Sequence, residues 1–142
     1  MQKLFTGIQI LFLISLVSCN DVNRKKSLEG LEAGVLQFYS QSKWGRGNLA
    51  KEYVVPALRI KFLDDLDLLM KKVKVSEIDI VRITPIDNNK KAVVRVRITW
   101  IPDGEGIVRE TLVEDTWINV KNLWLREKSK IIDGKPLPYI FK

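Results

Sequence analysis

The sequence predicts a single α+β domain in which N-terminal helices pack on one face of an antiparallel sheet. Before residue 75, two stretches repeat apolar residues at helical spacing. Residues 75–127 instead alternate apolar and polar side chains in about four segments, separated by turn-forming residues. Helices followed by a run of strands are typical of α+β domains, in which the helices lie together on the sheet.

The first helical pattern begins after Ser27, a residue type that suits an N-cap. It ends near Trp44, which lies between polar residues and glycines. Its apolar stripe consists of Leu28, Leu31, Val35, Phe38 and Tyr39.

The second helical pattern begins at Pro56, because proline suits the first turn of a helix. Its apolar side consists of Leu58, Phe62, Leu66, Leu69 and Val73. Asp64 and Asp67 face away from this side, whereas Asp65 lies at its edge.

The clearest strand spans residues 92–100, where Val94, Val96, Ile98 and Trp100 alternate with polar residues. Residues 87–90 favour a turn, so residues 78–86 are predicted to pair with this strand as a hairpin. The third strand, residues 107–120, changes parity between Val108 and Trp117, which predicts a β-bulge near residues 114–116. The fourth spans residues 123–126. On the polar face, Arg95 and Arg97 could lie across from Glu110 and Glu114 as solvated pairs, but the alternation alone does not fix the register.

The N-terminal residues have the composition of a targeting segment. Lys3 precedes an apolar run at residues 8–17 that is too short to span a bilayer. The run ends at Leu16-Val17-Ser18-Cys19, which resembles the lipobox of bacterial lipoproteins. That resemblance implies cleavage before Cys19 and lipid attachment to its thiol and new amine, which together give stable anchoring. An ordinary signal peptide followed by an unrelated cysteine is the alternative.

These motifs divide the chain into a signal peptide (residues 1–18), a lipidated cysteine with a tether (19–26) and one domain (27–142). From about residue 128 the domain is expected to end in an extended arm, whose residues 139–141 could dock on the domain or bind a partner. The sequence carries a formal net charge of +7. A nucleic-acid partner is not expected for an exported chain. The basic residues Arg24 to Lys26 either contact anionic headgroups or belong to a soluble tether. Asn20 after Cys19 favours the outer membrane over the inner membrane by resemblance to sorting signals.

The predicted order of helices and strands is similar to that of the cone-shaped nuclear transport factor 2-like superfamily, which includes ketosteroid isomerase and polyketide cyclases. The most specific match is residues 114–124, where a Thr-Trp strand turns and returns through Trp124. Residues 121–122 depart from this pattern, because a glycine is common in that turn. The resemblance implies a strongly curved sheet closed by the helices, and a homodimer if one sheet face stays open.

Several kinds of catalytic chemistry are excluded by composition. The chain has no histidine and one cysteine, so histidine bases, Cys-His nucleophiles and most zinc sites are absent. No phosphate-binding glycine loop is present, and no metal or cofactor is expected. The one enzymatic hypothesis, implied by the resemblance, is an isomerase or cyclase in which Asp65 acts with Tyr39 or Tyr53. In the alternative, Asp65 lies at the solvent boundary and both tyrosines pack in the domain.

The interior of the domain distinguishes these hypotheses. A ligand cavity would be lined by Trp44, Tyr53 and Asp65, whereas Trp100, Trp117 and Trp124 are predicted to pack in the sheet. A closed interior would instead be filled by Phe38, Phe62, Leu66, Val96 and Ile98. The sequence therefore predicts an envelope lipoprotein that is a non-enzymatic binding module for a protein, an envelope component or an apolar small molecule. The isomerase or cyclase is the alternative.

Overall fold

A computed structural model of the protein describes residues 18–138, with side chains described from residue 22. The elements are α1 (Ser18–Lys43), α2 (Gly47–Ala50), two 3-10 turns (Lys51–Tyr53 and Pro56–Leu58), α3 (Arg59–Met70), β1 (Val73–Ile86), β2 (Lys91–Pro102), β3 (Arg109–Val120) and β4 (Leu123–Gly134). Residues 1–17 of the predicted signal peptide and the tail residues 139–142 lie outside the described part. Among the described residues, no helix is both long enough and apolar enough to span a membrane.

The four strands form one antiparallel sheet in the order β1-β2-β3-β4, so each strand pairs with its neighbour in sequence. Two turns at the same end of the sheet use residues in the left-handed region of backbone space. Asp87, Asn88 and Asn89 form the first, and Lys121 with Asn122 forms the second. Asn and Asp tolerate positive φ better than most residues, and two such residues in succession match the twist of a hairpin.

The helices cover one face of this sheet. From α1, the stripe of Leu31, Val35, Phe38 and Tyr39 is buried, and α3 contributes Phe62, Leu66 and Leu69. The sheet contributes the inward residues of its central strands, including Val94, Val96, Ile98 and Val113. The void left between α1, α3 and the sheet has a volume of about 20 Å³, which is room for one water molecule.

This architecture agrees with the predicted α+β class and corrects the predicted fold. The cone-shaped fold of the nuclear transport factor 2-like superfamily was wrong. The sheet is a plain four-stranded meander. Side chains fill the space against its inner face. They include all five residues that were expected to fill a closed interior.

Three element boundaries also differ from the predictions. Helix α1 begins at Ser18, so Ser27 is not its N-cap and the predicted tether is helical. Strand β1 begins at Val73, five residues before the predicted start. Strand β4 continues to Gly134, so the arm begins near Lys135 instead of residue 128.

Strand β3 keeps one inward parity throughout, with Thr111, Val113, Asp115 and Trp117 all buried. Val108 precedes the strand, so no change of parity occurs and the predicted bulge at residues 114–116 was wrong. Pairing with β2 is regular, and the irregularities lie in the pairing with β4, at Leu112/Val113 and Thr116/Trp117. At these two places the register skips Ile132 and Glu127, so the residues without a partner on β3 lie on β4.

The C-terminal arm returns across the inner face of the sheet. The amide of Lys135 donates to the carbonyl of Glu110 at 2.9 Å, and the hydroxyl of Thr111 donates to the carbonyl of Lys135. Trp100 Nε1 donates to the same hydroxyl at 2.9 Å. Leu137 is then buried beside Phe38, which makes the first part of the arm a component of the core.

Candidate functional site

A groove with a volume of about 220 Å³ opens between α3 and β4, beside the core. Its lining combines apolar residues from the segment before α3 and from α3 itself with charged residues from both elements. These residues are Val54, Leu58, Lys61, Phe62, Asp65, Arg126, Glu127, Lys128 and Ser129. The groove therefore has a largely apolar floor that also contains the buried Arg126, and a charged rim.

The wall of the groove is held in place by backbone pairing at the edge of the sheet. Val54 forms a parallel bridge with Arg126, and the amide of Val55 donates to the carbonyl of Arg126 at 3.1 Å. Arg59 Nε donates to the carbonyl of Val54 at 3.0 Å. The segment before α3 is thus fixed against the outer edge of β4.

A buried polar cluster lies beneath the groove, centred on Asp115 in β3. The Asp115 carboxylate is fully buried and accepts hydrogen bonds of 2.5 Å from the hydroxyls of Tyr39 and Ser129. Arg126 Nε lies 3.3 Å from the same carboxylate, and the Arg126 guanidinium stacks over the Phe38 ring at 5.0 Å. Arg126 and Ser129 connect the cluster to the groove, since both also line it.

The cluster balances its charges internally. Burial raises the pKa of Tyr39 well above its usual value, and the neighbouring Asp115 carboxylate raises it further. Tyr39 is therefore a neutral hydrogen-bond donor at ordinary pH, and Arg126 supplies the charge opposite Asp115. A buried ion pair surrounded by hydrogen bonds specifies one arrangement of the core, because losing one partner leaves the other charge buried.

The structure separates the residues that were predicted to share a pocket. Asp65 lines the groove and is paired with Lys61, whereas Tyr39 is buried and donates to Asp115. Tyr53 packs against Gly34, and Trp44 is 66% exposed beside Lys43. Asp65 and the tyrosines therefore do not form the predicted carboxylate–tyrosine pair, and Trp44 and Tyr53 do not line the groove.

Other predicted positions agree with the structure or lie outside it. Trp100, Trp117 and Trp124 are buried in the sheet, as predicted. Cys19 belongs to α1 by its backbone, but its side chain is outside the described part of the chain. Between residues 22 and 138, no group of three or more potential metal ligands was found.

The cluster contains residues that sequence reasoning did not single out. Asp115 has the same parity as Val113 and Trp117, and this spacing in a half-buried strand was the available signal for an inward carboxylate. Arg126 gave no such signal, because the irregular step in the β3–β4 pairing decides which way its side chain faces.

Charged side chains from three strands pair on the outer face of the sheet. The register places Arg95 opposite Glu114, with Nε 3.0 Å from the carboxylate, and Arg97 opposite Leu112. Lys130 approaches Glu114 from β4 at 2.9 Å. Hydrogen bonds from Lys130 and Arg95 hold the pKa of the Glu114 carboxyl below its usual value.

Comparisons with known proteins place the fold only. No family model matches the sequence, and no curated protein matches it. One similar solved structure is a SEC-C motif containing protein from Rhodopseudomonas palustris, with a TM-score of 0.59, 14% identity and coverage of 67% of this chain and 73% of that chain. A second is a conserved protein from Planctomyces limnophilus, with a TM-score of 0.57, 12% identity and coverage of 77% of this chain and 100% of that chain. At these identities the similarities concern the fold alone, and they contradict the cone-fold prediction.

Proposed function

We propose that this chain is a lipid-anchored protein of the bacterial envelope whose domain binds an extended segment of a protein partner without catalysis. The anchor is the thiol and amine of Cys19, exposed by cleavage after Ser18, and Asn20 favours the outer membrane. The proposal for the domain rests on one observation. The groove between α3 and β4 joins an apolar floor to a charged rim at an edge strand.

Such a groove suits an extended peptide better than a compact ligand. Apolar side chains of a peptide would pack on Val54, Leu58 and Phe62, while Lys61 and Lys128 would meet its acidic or carbonyl groups. Val54 and Val55 already occupy the edge of β4 at Arg126, so an incoming chain would pair with the backbone of β4 beyond that residue. Side-chain pockets beside an edge strand supply specificity.

The other hypotheses have less support. A small apolar ligand needs a pocket of about 300 Å³ or more, whereas the void in the core has a volume of about 20 Å³. An isomerase or cyclase needs a carboxylate and a hydroxyl facing the same substrate. Asp65 and Tyr39 instead bond to Lys61 and Asp115, respectively.

The anchor is tested by Cys19→Ser in the full chain. Metabolic labelling with a palmitate analogue is expected to mark the natural protein and not the variant. The natural protein should sediment with the outer membrane. Equal labelling of both proteins, or no labelling of either, would contradict lipid attachment at Cys19.

The groove is tested by photocrosslinking in cells. A photoreactive amino acid at Leu58, which is 40% exposed and lines the groove, is expected to give one discrete protein adduct. The matched control is Ile60, two residues away, which is 77% exposed and outside the groove. The same adducts at both positions, or none at Leu58, would refute the groove as the binding site.

A further inference from the structure

Helix α1 enters the domain at one end of the sheet and leaves at the other. Near its start, Trp124 Nε1 donates to the carbonyl of Ser27 at 3.0 Å, and Asn119 Nδ2 approaches the Ser27 hydroxyl at 3.4 Å. Near its end, Lys43 Nζ donates to the carbonyl of Ser76 at 2.7 Å, close to the start of β1. These contacts fix the direction of α1 across the sheet.

The end of the domain where α1 enters also contains two hairpin turns. The β1–β2 turn and the β3–β4 turn lie side by side there, because the amide of Asn119 donates to the carbonyl of Lys90 at 2.8 Å. We call this surface the anchor end. It comprises residues 22–26 of α1 together with residues 86–91 and 120–123.

The anchor end has the side chains of a membrane-contacting surface. Its exposed basic residues are Arg24, Lys25, Lys26, Lys90, Lys91 and Lys121. Its exposed apolar residues are Val22, Ile86, Val120 and Leu123, each at least 41% exposed. Asp87 and Glu29 are exposed acids nearby, and Asp21 lies in the same helical segment, so six basic residues stand against three acidic ones and the balance is basic. Basic and apolar groups together favour an anionic lipid interface.

The position of the lipid attachment site points the same surface toward the membrane. Residues 18–26 continue α1 without a break, so residue 19 lies about 12 Å along the helix axis from Ser27. A helix transmits orientation, whereas a flexible tether of the same length would not. An acyl chain at Cys19 would therefore bring the anchor end to the bilayer ahead of the rest of the domain.

We propose that the anchor end rests on an anionic lipid surface and holds the domain in one orientation. This inference rests on the proposed lipid anchor at Cys19. Strand β4 starts at the anchor end with Leu123, so groove residues 126–129 lie about 10 to 20 Å above the headgroups. The groove then faces partners along the membrane surface.

Single introduced cysteines test this orientation in the full lipidated protein. The chain has one cysteine, so acylated Cys19 leaves an introduced thiol as the only free one. Leu123→Cys reports on the anchor end, and Ile107→Cys, 59% exposed in the β2–β3 connection, is the matched control at the opposite end. Each is labelled with an environment-sensitive fluorophore. The protein is then reconstituted into vesicles of phosphatidylcholine, with or without phosphatidylglycerol, that contain a lipid-attached quencher.

The Leu123 label is expected to be quenched in vesicles with phosphatidylglycerol, and the Ile107 label is expected to stay unquenched. Replacing Lys90, Lys91 and Lys121 with Gln should lower the ratio of quenched to unquenched protein about fivefold per lysine, whereas Arg at the same positions should preserve it. Equal quenching of the two labels, or no dependence on anionic lipid, would overturn the proposed orientation.

Flotation of the vesicles separates this inference from the proposal on which it rests. Protein that floats with the vesicles while its Leu123 label stays unquenched retains the anchor and refutes only the orientation. Protein that does not float refutes the anchor and the orientation together.

Discussion

Replacing the buried Asp115 carboxylate with an uncharged amide should remove a large part of the domain's stability. Asp115→Asn keeps the side-chain volume but removes the charge opposite Arg126, whose Nε lies 3.3 Å away. Breaking one partner of a buried pair costs about 3 to 5 kcal/mol. We expect the lower end, about 3 kcal/mol, because the Asn amide can still accept a hydrogen bond from Tyr39 or Ser129. A domain has about 5 to 15 kcal/mol of stability in total, so the loss is a large part of it.

Urea denaturation followed by tryptophan fluorescence measures this loss, because Trp100, Trp117 and Trp124 are buried. The matched control is Glu114→Gln on the neighbouring residue, whose outward pairs with Arg95 and Lys130 should contribute about 1 kcal/mol or less. Equal losses for the two variants would refute the assignment of Asp115 to a buried ion pair.

A compensating variant separates loss of charge balance from loss of packing. Asp115→Leu combined with Arg126→Met removes both charges and is expected to be more stable than Asp115→Asn, because no uncompensated charge remains buried. A double variant less stable than the single one would mean that the hydrogen bonds of the cluster, and not its charge balance, dominate.

Three further predictions concern other parts of the fold. The fold raises the pKa of Tyr39, so the stability that neutral Tyr39 contributes is complete below the ordinary tyrosine pKa and is lost as pH rises above it. In urea denaturation between about pH 9 and pH 11, the natural protein should therefore lose stability more steeply than Tyr39→Phe, by up to about 1.4 kcal/mol per pH unit. Gly134→Ala should cost about 2 kcal/mol in thermal or urea unfolding, because Gly134 has a φ of +83° and an added Cβ would collide with the carbonyl of Glu110. The control Gly104→Ala should cost less, because Gly104 has a similar φ of +76° but lies in open space. Leu137→Ala should cost about 2 kcal/mol by the same assay, since Leu137 is buried in the core, and an unchanged midpoint would show that the arm is detached in solution.

Local patterns in the sequence were enough to predict the class of the fold. Period-two alternation is imposed by the pleat of a strand, and the stripes of α1 and α3 by the helical repeat, so both can be read without knowing the neighbours. The buried residues of these stripes, Phe38 and Leu66 among them, are in the core as the patterns indicated.

The boundaries of the elements depend on more than local pattern. Residues 19–26 have no apolar stripe, yet they are helical because Arg24, Lys25 and Lys26 are good helix formers, and extending a helix from a docked segment needs no new nucleus. Strand β4 extends past the predicted end. Its pairing with β3 skips Glu127 and Ile132, so the alternation of its side chains is broken and does not show where the strand ends.

The sequence by itself therefore determined the α+β class, the buried tryptophans and the lipobox from which lipid attachment at Cys19 is proposed. The tertiary structure decided which side chains come into contact. Asp115 contacts Tyr39, 76 residues away in the chain, and Arg126, 11 residues away. The tertiary structure also forms the groove beside β4 and brings basic residues together at the end of the sheet where α1 enters. Such features arise from contacts between distant segments, and periodicity carries no information about which distant segments meet.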